Sequence, residues 1–484
     1  MQETAGDSTT SGMEFFFNPR SIAIIGASAD PAKLGGRPLA ALRKKGFEGD
    51  IYPVNPRYTT IDGLPCFASI GDIPGSVDLA VISVPREGII NSLRQCAAKN
   101  VRAAVIFTAG FAETGEEGLS VQHEIAAIAK ESEMRILGPN CIGFIHFENA
   151  VMASFSDVME LDIERDGRGS LSFITQSGSY GERTFIKAYQ EGIGGGAFIS
   201  VGNEADLEFS DFITYLASDA TTSIMGLYLE GARDGAKFRA AAEAALRAGK
   251  PILVKKVGKS GAGTRAAASH TGSLAGVDRM YDSFFRQMGI IRFEELRDLA
   301  NFALAHHSGR IPRGRNVAIL TDSGGPGVEM ADRCEEFGLC VPELGTVTRN
   351  RIEKVLPFYG SARNPVDMTA AVMSDQGLYS ACLQAIYDDD DIDIVFAPGF
   401  FMAYTDRSLL DDMLDIYHSS HKPLVMFPLW EDGSPQALEM IARVKNEGIP
   451  LISEAGDAAW TMAALARYGE RRQRFLEGDT SGCF

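Results

Sequence analysis

Three times along this chain of 484 residues a continuous apolar run passes through a small-residue turn into a helix-prone segment. Ser21–Ile25 (SIAII) leads to Gly26-Ala27-Ser28, Ser170–Thr175 (SLSFIT) to Gln176-Ser177-Gly178, and Asn316–Thr321 (NVAILT) to Asp322–Gly327 (DSGGPG). Apolar runs without alternation fit strands buried on both faces, as in a parallel sheet covered by helices. Further strand-like runs follow each opening: Asp50–Val54, Asp78–Val84, Arg102–Phe107 and Met134–Leu137; then Ala197–Val201, Ile224–Glu230 and Pro251–Val257; then Ile392–Ala397, Pro423–Phe427 and Pro450–Ile452. With helical patterns between them, this predicts an α/β chain of three consecutive doubly wound domains. The expected division is a disordered tail over 1–13 and domains over 14–145, 146–308 and 309–484. Length agrees, at about 150 residues per domain.

Composition narrows the function classes. A formal charge of -18 and a pI near 4.9 argue against a general nucleic-acid or anionic-membrane binder. The seven cysteines include no CxxC pair, so neither a zinc site nor a disulfide framework is suggested, and a reducing cytoplasm is expected. No apolar run approaches the ~20 residues of a membrane span. An anionic small ligand would then need helix N-termini or a local basic pocket.

The run Ala266–Gly276 (AAASHTGSLAG) holds one histidine among small residues, beyond the strand-like Pro251–Val257 and the glycine-rich Gly258–Arg265. A histidine there has little packing to do and much freedom. Neutral imidazole attacks phosphorus at neutral pH, so His270 is the candidate nucleophile, although an ordinary polar loop residue is the alternative. Glu230, ending the strand pattern before Gly231, is the candidate partner for one ring nitrogen, because open α/β sheets place chemistry beyond their strand carboxyl ends. Gln176, Ser177 and Gly178 put a hydroxyl and small residues at a helix start, which reads equally as an anion site or a plain N-cap.

The first turn, Gly26–Gly36 (GASADPAKLGG), departs from GxGxxG at Ser28, and the second strand is followed by Asn55-Pro56-Arg57 where a dinucleotide ribose wants a carboxylate. Asn55, Arg57 and Lys33 suit a phosphorylated adenosine better, whereas Arg43-Lys44-Lys45 reads as a solvated helix end. The loops Ser83-Val84-Pro85, Thr108–Glu113 and Gly138–Gly143 lie on the same side as Gly26, though each is also ordinary turn chemistry. Gly258-Lys259-Ser260 is no Walker A loop, since Leu253 stands where its first glycine belongs. Cys141 has no nearby histidine in sequence to activate it. Phe400, Phe401 and Tyr404 read first as core and second as pocket.

Taken together, GASADPAKLGG, PVNPR, TAGFAE, GPNCIG, ITQSG, GNEADLEFSDF, YLEGARDGAKF, SHTGSLAG, TDSGGPGVEMAD and NPVDM resemble the NDP-forming acyl-CoA synthetases, relatives of succinyl-CoA synthetase, from about Phe16 to about Ala466. The resemblance implies a Rossmann-like coenzyme A-binding domain followed by two flavodoxin-like ligase domains. It assigns the phosphorylated histidine to His270, its stabilising glutamate to Glu230, and the receiving helix start to Gln176, Ser177 and Gly178. Gly26, Ser28, Lys33, Asn55, Val84, Pro85 and Asn140 fall on the coenzyme A side. It implies coenzyme A and a small carboxylic acid as substrates, and ATP or ADP with magnesium on a separate ATP-grasp β subunit for which this chain has no room. The expected protein is an α-type ligase subunit of a cytoplasmic hetero-oligomer, working through acyl phosphate and phosphohistidine. Its rivals are a non-catalytic coenzyme A-binding regulator and an NAD(P)-dependent oxidoreductase.

Overall fold

The computed structural model describes residues 12–163, 171–260, 262–263, 278–403 and 405–478. The chain divides into two units, one reaching to Phe293 and the other beginning at Glu294.

The first unit opens with β1 (Ser21–Ile25), β2 (Asp50–Val54), a ribbon of β3 (Thr60–Ile61) and β4 (Leu64–Pro65), then β5 (Leu79–Ile82), β6 (Ala103–Ile106) and β7 (Arg135–Leu137). Five of these form a parallel sheet in the order β2-β1-β5-β6-β7. Every residue of β1, β5 and β6 is buried, which is why their sequences do not alternate. The order places a switch point between β1 and β5, where a crevice opens beyond the strand ends.

A second sheet of the same unit contains β8 (Gly143–His146), β9 (Val151–Ser154), β10 (Leu171–Thr175), β11 (Gly195–Ser200), β12 (Ile224–Leu229), β13 (Ile252–Lys256) and β14 (Ile291–Arg292). Its order is β14-β13-β12-β10-β11-β8-β9, parallel except for the β8–β9 hairpin on the edge of β11. Here the switch point falls between β10 and β12. The loops that begin at Gln176 and Glu230 are therefore neighbours.

Packing moves two of the expected boundaries. Gly143–His146, read as the end of the first domain at 145, pairs with β11 and belongs to the second sheet. Met13, assigned to the tail, is fully buried, and the short helix Glu14–Phe17 sends Phe16 and Phe17 onto Phe144, Phe212 and Tyr215. Each such ring stabilises by roughly 2 kcal/mol when removed from water, and the hairpin supplies the apolar face. Gly143 makes that hairpin's approach close: its φ is +107°, and a Cβ there would lie 2.3 Å from the Ala153 carbonyl oxygen. Gly143→Ala is therefore expected to destabilise the first unit by on the order of 3 kcal/mol, read as a lower melting temperature.

The second unit carries β15 (Val317–Thr321), β16 (Val366–Asp367), β17 (Ile394–Phe401) and β18 (Leu424–Glu431), parallel in the order β16-β15-β17-β18. The expected strand at Pro450–Ile452 supplies a single bridge, Leu451 to Met426. Helix Leu296–His307 packs with helix Ala455–Leu476 of this unit: the His306 and Tyr468 rings meet edge to face at 6.1 Å, and Arg297 pairs with Asp457 at 3.4 Å. Phe400 and Phe401 are core residues, and Tyr404 lies outside the described residues.

Candidate active site

The first glycine turn is built by close backbone approach. Gly26 has φ +89° and faces the Ser83 carbonyl, while a Cβ on Gly35 would lie 2.1 Å from the Gly26 carbonyl oxygen. Any larger residue at 35 would push the turn off β5, so the small residues here serve the crevice at the switch point. Asn55 closes it from the other side: its Nδ2 donates to the Ala27 carbonyl at 2.8 Å, and its Oδ1 accepts from the Arg57 amide at 3.0 Å. Asn55 is thus occupied in holding the turn. Ser28 is buried with its hydroxyl accepting from the Asp30 amide, and Lys33 is exposed. Arg43, Lys44 and Lys45 pair with Asp62, Glu160 and Asp162, as a solvated helix end would.

Beyond the strand ends lies a cavity of about 650 Å³. Val84, Pro85 and Asn140 line it from the first sheet, and Gln176, Ser177 and Gly178 from the second. Phe107, Ile142 and Phe155 give it an apolar wall, and among the described residues none that lines it is charged. Leu34 reaches it from the first turn, whereas Gly26, Ser28, Lys33 and Asn55 stand outside the lining. Cys141 also lines it, but burial pushes that thiol up to about 12, so it is not the nucleophile.

Two helices start at this cavity: Arg86–Ala98, preceded by Pro85, and Gly178–Gln190, preceded by Ser177. Their N-termini carry partial positive charge and unsatisfied amides. The Ser177 side chain makes no capping bond, so the plain N-cap reading is not what the geometry shows. An anion can be met here by amides and helix dipoles without a lysine or arginine.

Gln176 does more than line the wall. Its Oε1 accepts from the Glu230 amide at 2.7 Å and the Gly231 amide at 3.1 Å, and its Nε2 donates to the Gly231 carbonyl at 2.9 Å. The turn that carries Glu230 is thereby fixed to the end of β10. Glu230 is buried, and its carbonyl accepts from the Lys256 Nζ at 2.9 Å. Lys256 is itself buried under the Tyr281 ring, and burial lowers its pKa. His270 lies outside the described residues.

Sequence reasoning missed the Asn203-Glu204 turn as a site element, although its residues stood inside the GNEADLEFSDF motif. Both are buried, and both reach across to the loops just described. The available signal was an acidic residue at the end of β11, on the same side as Gln176 and Glu230.

The cavity thus joins loops of two parallel sheets in one unit, with an open helix start on its wall. Residues 20–147 match a family described as CoA binding domain, and residues 168–306 one described as succinyl-CoA ligase like flavodoxin domain. The alpha subunit of ADP-forming acetate–CoA ligase II from Pyrococcus furiosus is 40% identical over 460 residues, covering 94% of this chain and 97% of that one. ADP-forming acetate–CoA ligase I of Archaeoglobus fulgidus is 39% identical over 79% of this chain but only 54% of its own length. The solved dinucleotide forming acetyl-coenzyme A synthetase 1 of Ca. Korarchaeum cryptofilum, in complex with phosphate and ADP, superposes with a TM-score of 0.84 at 31% identity, over 96% of this chain and 98% of that chain. This chain belongs to the ADP-forming acyl-CoA ligases, and its sequence aligns with an alpha subunit over nearly the whole of that subunit.

Proposed function

We propose that the chain is the α subunit of an ADP-forming acyl-CoA ligase in which the cavity beyond β5 and β10 is the site of acyl and phosphoryl transfer. The observation that carries this is the meeting of Val84, Pro85 and Asn140 with Gln176, Ser177 and Gly178 around one cavity. A thioester arriving along the first sheet and a phosphate seated on the Gly178 helix start would then be adjacent.

A phosphate oxygen attacks the thioester carbonyl carbon, the carbon–sulfur bond breaks, and a proton goes to the departing thiolate, giving free coenzyme A and an acyl phosphate. The free nitrogen of His270 then attacks phosphorus, the bond to the acyl oxygen breaks, and the carboxylate leaves. Nucleoside diphosphate finally takes the phosphoryl group from nitrogen. Each phosphoryl species carries about two negative charges, which the two helix N-termini stabilise while the apolar wall of Phe107, Ile142 and Phe155 keeps water from hydrolysing the acyl phosphate. Glu230 holds the His270 tautomer. Reversed, the steps activate an acid.

The nucleotide is assigned to a separate ATP-grasp β subunit, with magnesium accompanying it. Support comes from relatives named as alpha subunits that this chain covers end to end, beside a relative of which it covers about half. Among the described residues no helix is long and apolar enough to cross a membrane, and the described cysteines are free thiols.

The test is incubation of the purified chain with labelled phosphate, magnesium and a panel of acyl-CoA esters, since acyl phosphate formation needs no nucleotide. Acid-labile label with at least one ester is expected, and the ester that works names the acid. In parallel, coenzyme A is expected to raise the melting temperature, whereas NADH is not. A chain that stays unlabelled even with an ATP-grasp partner and ATP, yet binds coenzyme A, is the regulator instead.

A further inference from the structure

Resting on the ligase reading above, we propose that Glu204 is a positioning residue for phosphoryl transfer: through Gln176 it fixes the turn that carries Glu230, and through its neighbour Asn203 it ties that turn to the coenzyme A side of the cavity. Glu204 follows β11 and is held at φ +52°, in the left-handed region that a residue with a side chain rarely occupies without support. The Arg233 guanidinium, three residues beyond Glu230, supplies that support by donating to the carbonyls of Glu204 and Asn203 at 3.0 Å each.

From this turn two side chains diverge. The Glu204 Oε1 accepts from the Phe209 amide at 3.0 Å, and Oε2 accepts from the Gln176 Nε2 at 3.2 Å. That second bond sets the Gln176 amide so that its oxygen faces the Glu230 and Gly231 amides. Were the Gln176 amide reversed, its NH2 would confront two N–H donors, and the turn would lose both bonds. The Asn203 side chain goes the other way, donating to Glu113 and, at 3.1 Å, to Gln122, while its Oδ1 accepts from the cavity-lining Asn140 at 3.1 Å. Glu113 in turn accepts from the Gly110 and Phe111 amides. One buried dipeptide therefore connects the loops after β6, β7, β10 and β12.

A buried carboxylate has no packing reason to be here, because a hydrophobic residue would fill the space without desolvation cost. What the carboxylate provides is a fixed acceptor for Gln176. Removing it should leave the coenzyme A side formed and let the Glu230 turn rotate.

The test compares the wild type, Glu204→Ala, Glu204→Gln and Gln176→Ala in single-turnover labelling with phosphate and the acyl-CoA ester that labels the wild type best. Glu204→Ala is expected to lower the rate at saturating ester by about tenfold to a hundredfold, the scale of leaving a buried hydrogen-bonding partner unsatisfied. The ester concentration at half-maximal rate should stay within about twofold of wild type, since no coenzyme-side group has been touched. Glu204→Gln keeps the side-chain length and one acceptor oxygen, and should fall between the two. Gln176→Ala removes the link from its less buried end and should reproduce the alanine effect even where Glu204→Ala fails to fold. Wild-type rates in Gln176→Ala, or equal losses in rate and ester affinity, would overturn the positioning role. An unlabelled wild type would instead overturn the ligase reading itself.

Discussion

His270→Ala is expected to leave the chain without acid-labile phosphate under conditions that label the wild type, and to lower turnover with a β subunit by at least about a thousandfold. The size follows from the chemistry: the imidazole is the covalent acceptor in the proposed relay, and removing a nucleophile costs several powers of ten rather than a factor of a few. Among the described residues no other group at the cavity can replace it. Its one described thiol, Cys141, is held protonated by burial, and the Ser177 hydroxyl is no match for neutral imidazole as a nucleophile at pH 7. The coenzyme A-induced rise in melting temperature should persist in the variant, because the part that matches a CoA binding domain is residues 20–147. Glu230→Gln should retain label at a reduced rate, since the amide can still orient the imidazole but stabilises its cationic form less. Label persisting in His270→Ala would sink the assignment and redirect the search to another acceptor.

The second large effect is on stability against pH. Burial pushes the Glu204 carboxyl up from its ordinary value of 4.5 to about 7, with Glu208 adding to the rise, while the Arg233 charge and the bonds from the Phe209 amide and Gln176 offset part of it. A carboxyl whose folded value is raised contributes stability that is fully present below the unfolded value and lost as pH rises through the folded one. Between pH 4.5 and about 7 the unfolded chain ionises first, so the folded state loses ground over that window, by roughly 3 kcal/mol at about 1.4 kcal/mol per pH unit. Glu204→Gln carries no such proton. Its melting temperature, subtracted from that of the wild type across pH 4.5–8, should therefore reveal a widening gain for the glutamine variant as pH rises, with the background of all other titrating groups cancelling. A difference that is flat with pH would mean that Glu204 ionises normally in the folded chain. Tight anion binding at the Gly178 helix start should raise the carboxyl further, since a second negative charge nearby favours its protonated form.

Legibility in the sequence followed the range of the interaction that each feature depends on. β1, β5, β6 and β10 were visible as apolar runs because a strand buried along its whole length needs apolar residues at every position. Gln176-Ser177-Gly178 and Val84-Pro85 were visible because a small-residue turn at a strand end is a local pattern. Asn55 was read on the ligand side, and its side chain also bonds the Ala27 carbonyl and the Arg57 amide. Nothing in PVNPR distinguishes an asparagine that binds a ligand from one that braces a turn. No strand was read at Gly143–His146, whose partner is β11, more than fifty residues on.

The sequence by itself determined three strand–turn–helix openings, the excess of acid, and the small-residue turns at the strand ends, because backbone preference and apolar patterning act over a few positions. Only the tertiary structure decided which of those turns meet. That Asn140 and Ser177 share a cavity, and that Asn203 and Glu204 join its two sides, depends on the switch points of two sheets and on part-buried hydrogen bonds 54 to 90 residues apart in the chain. Such contacts form only where whole elements pack, so no short stretch of sequence specifies them.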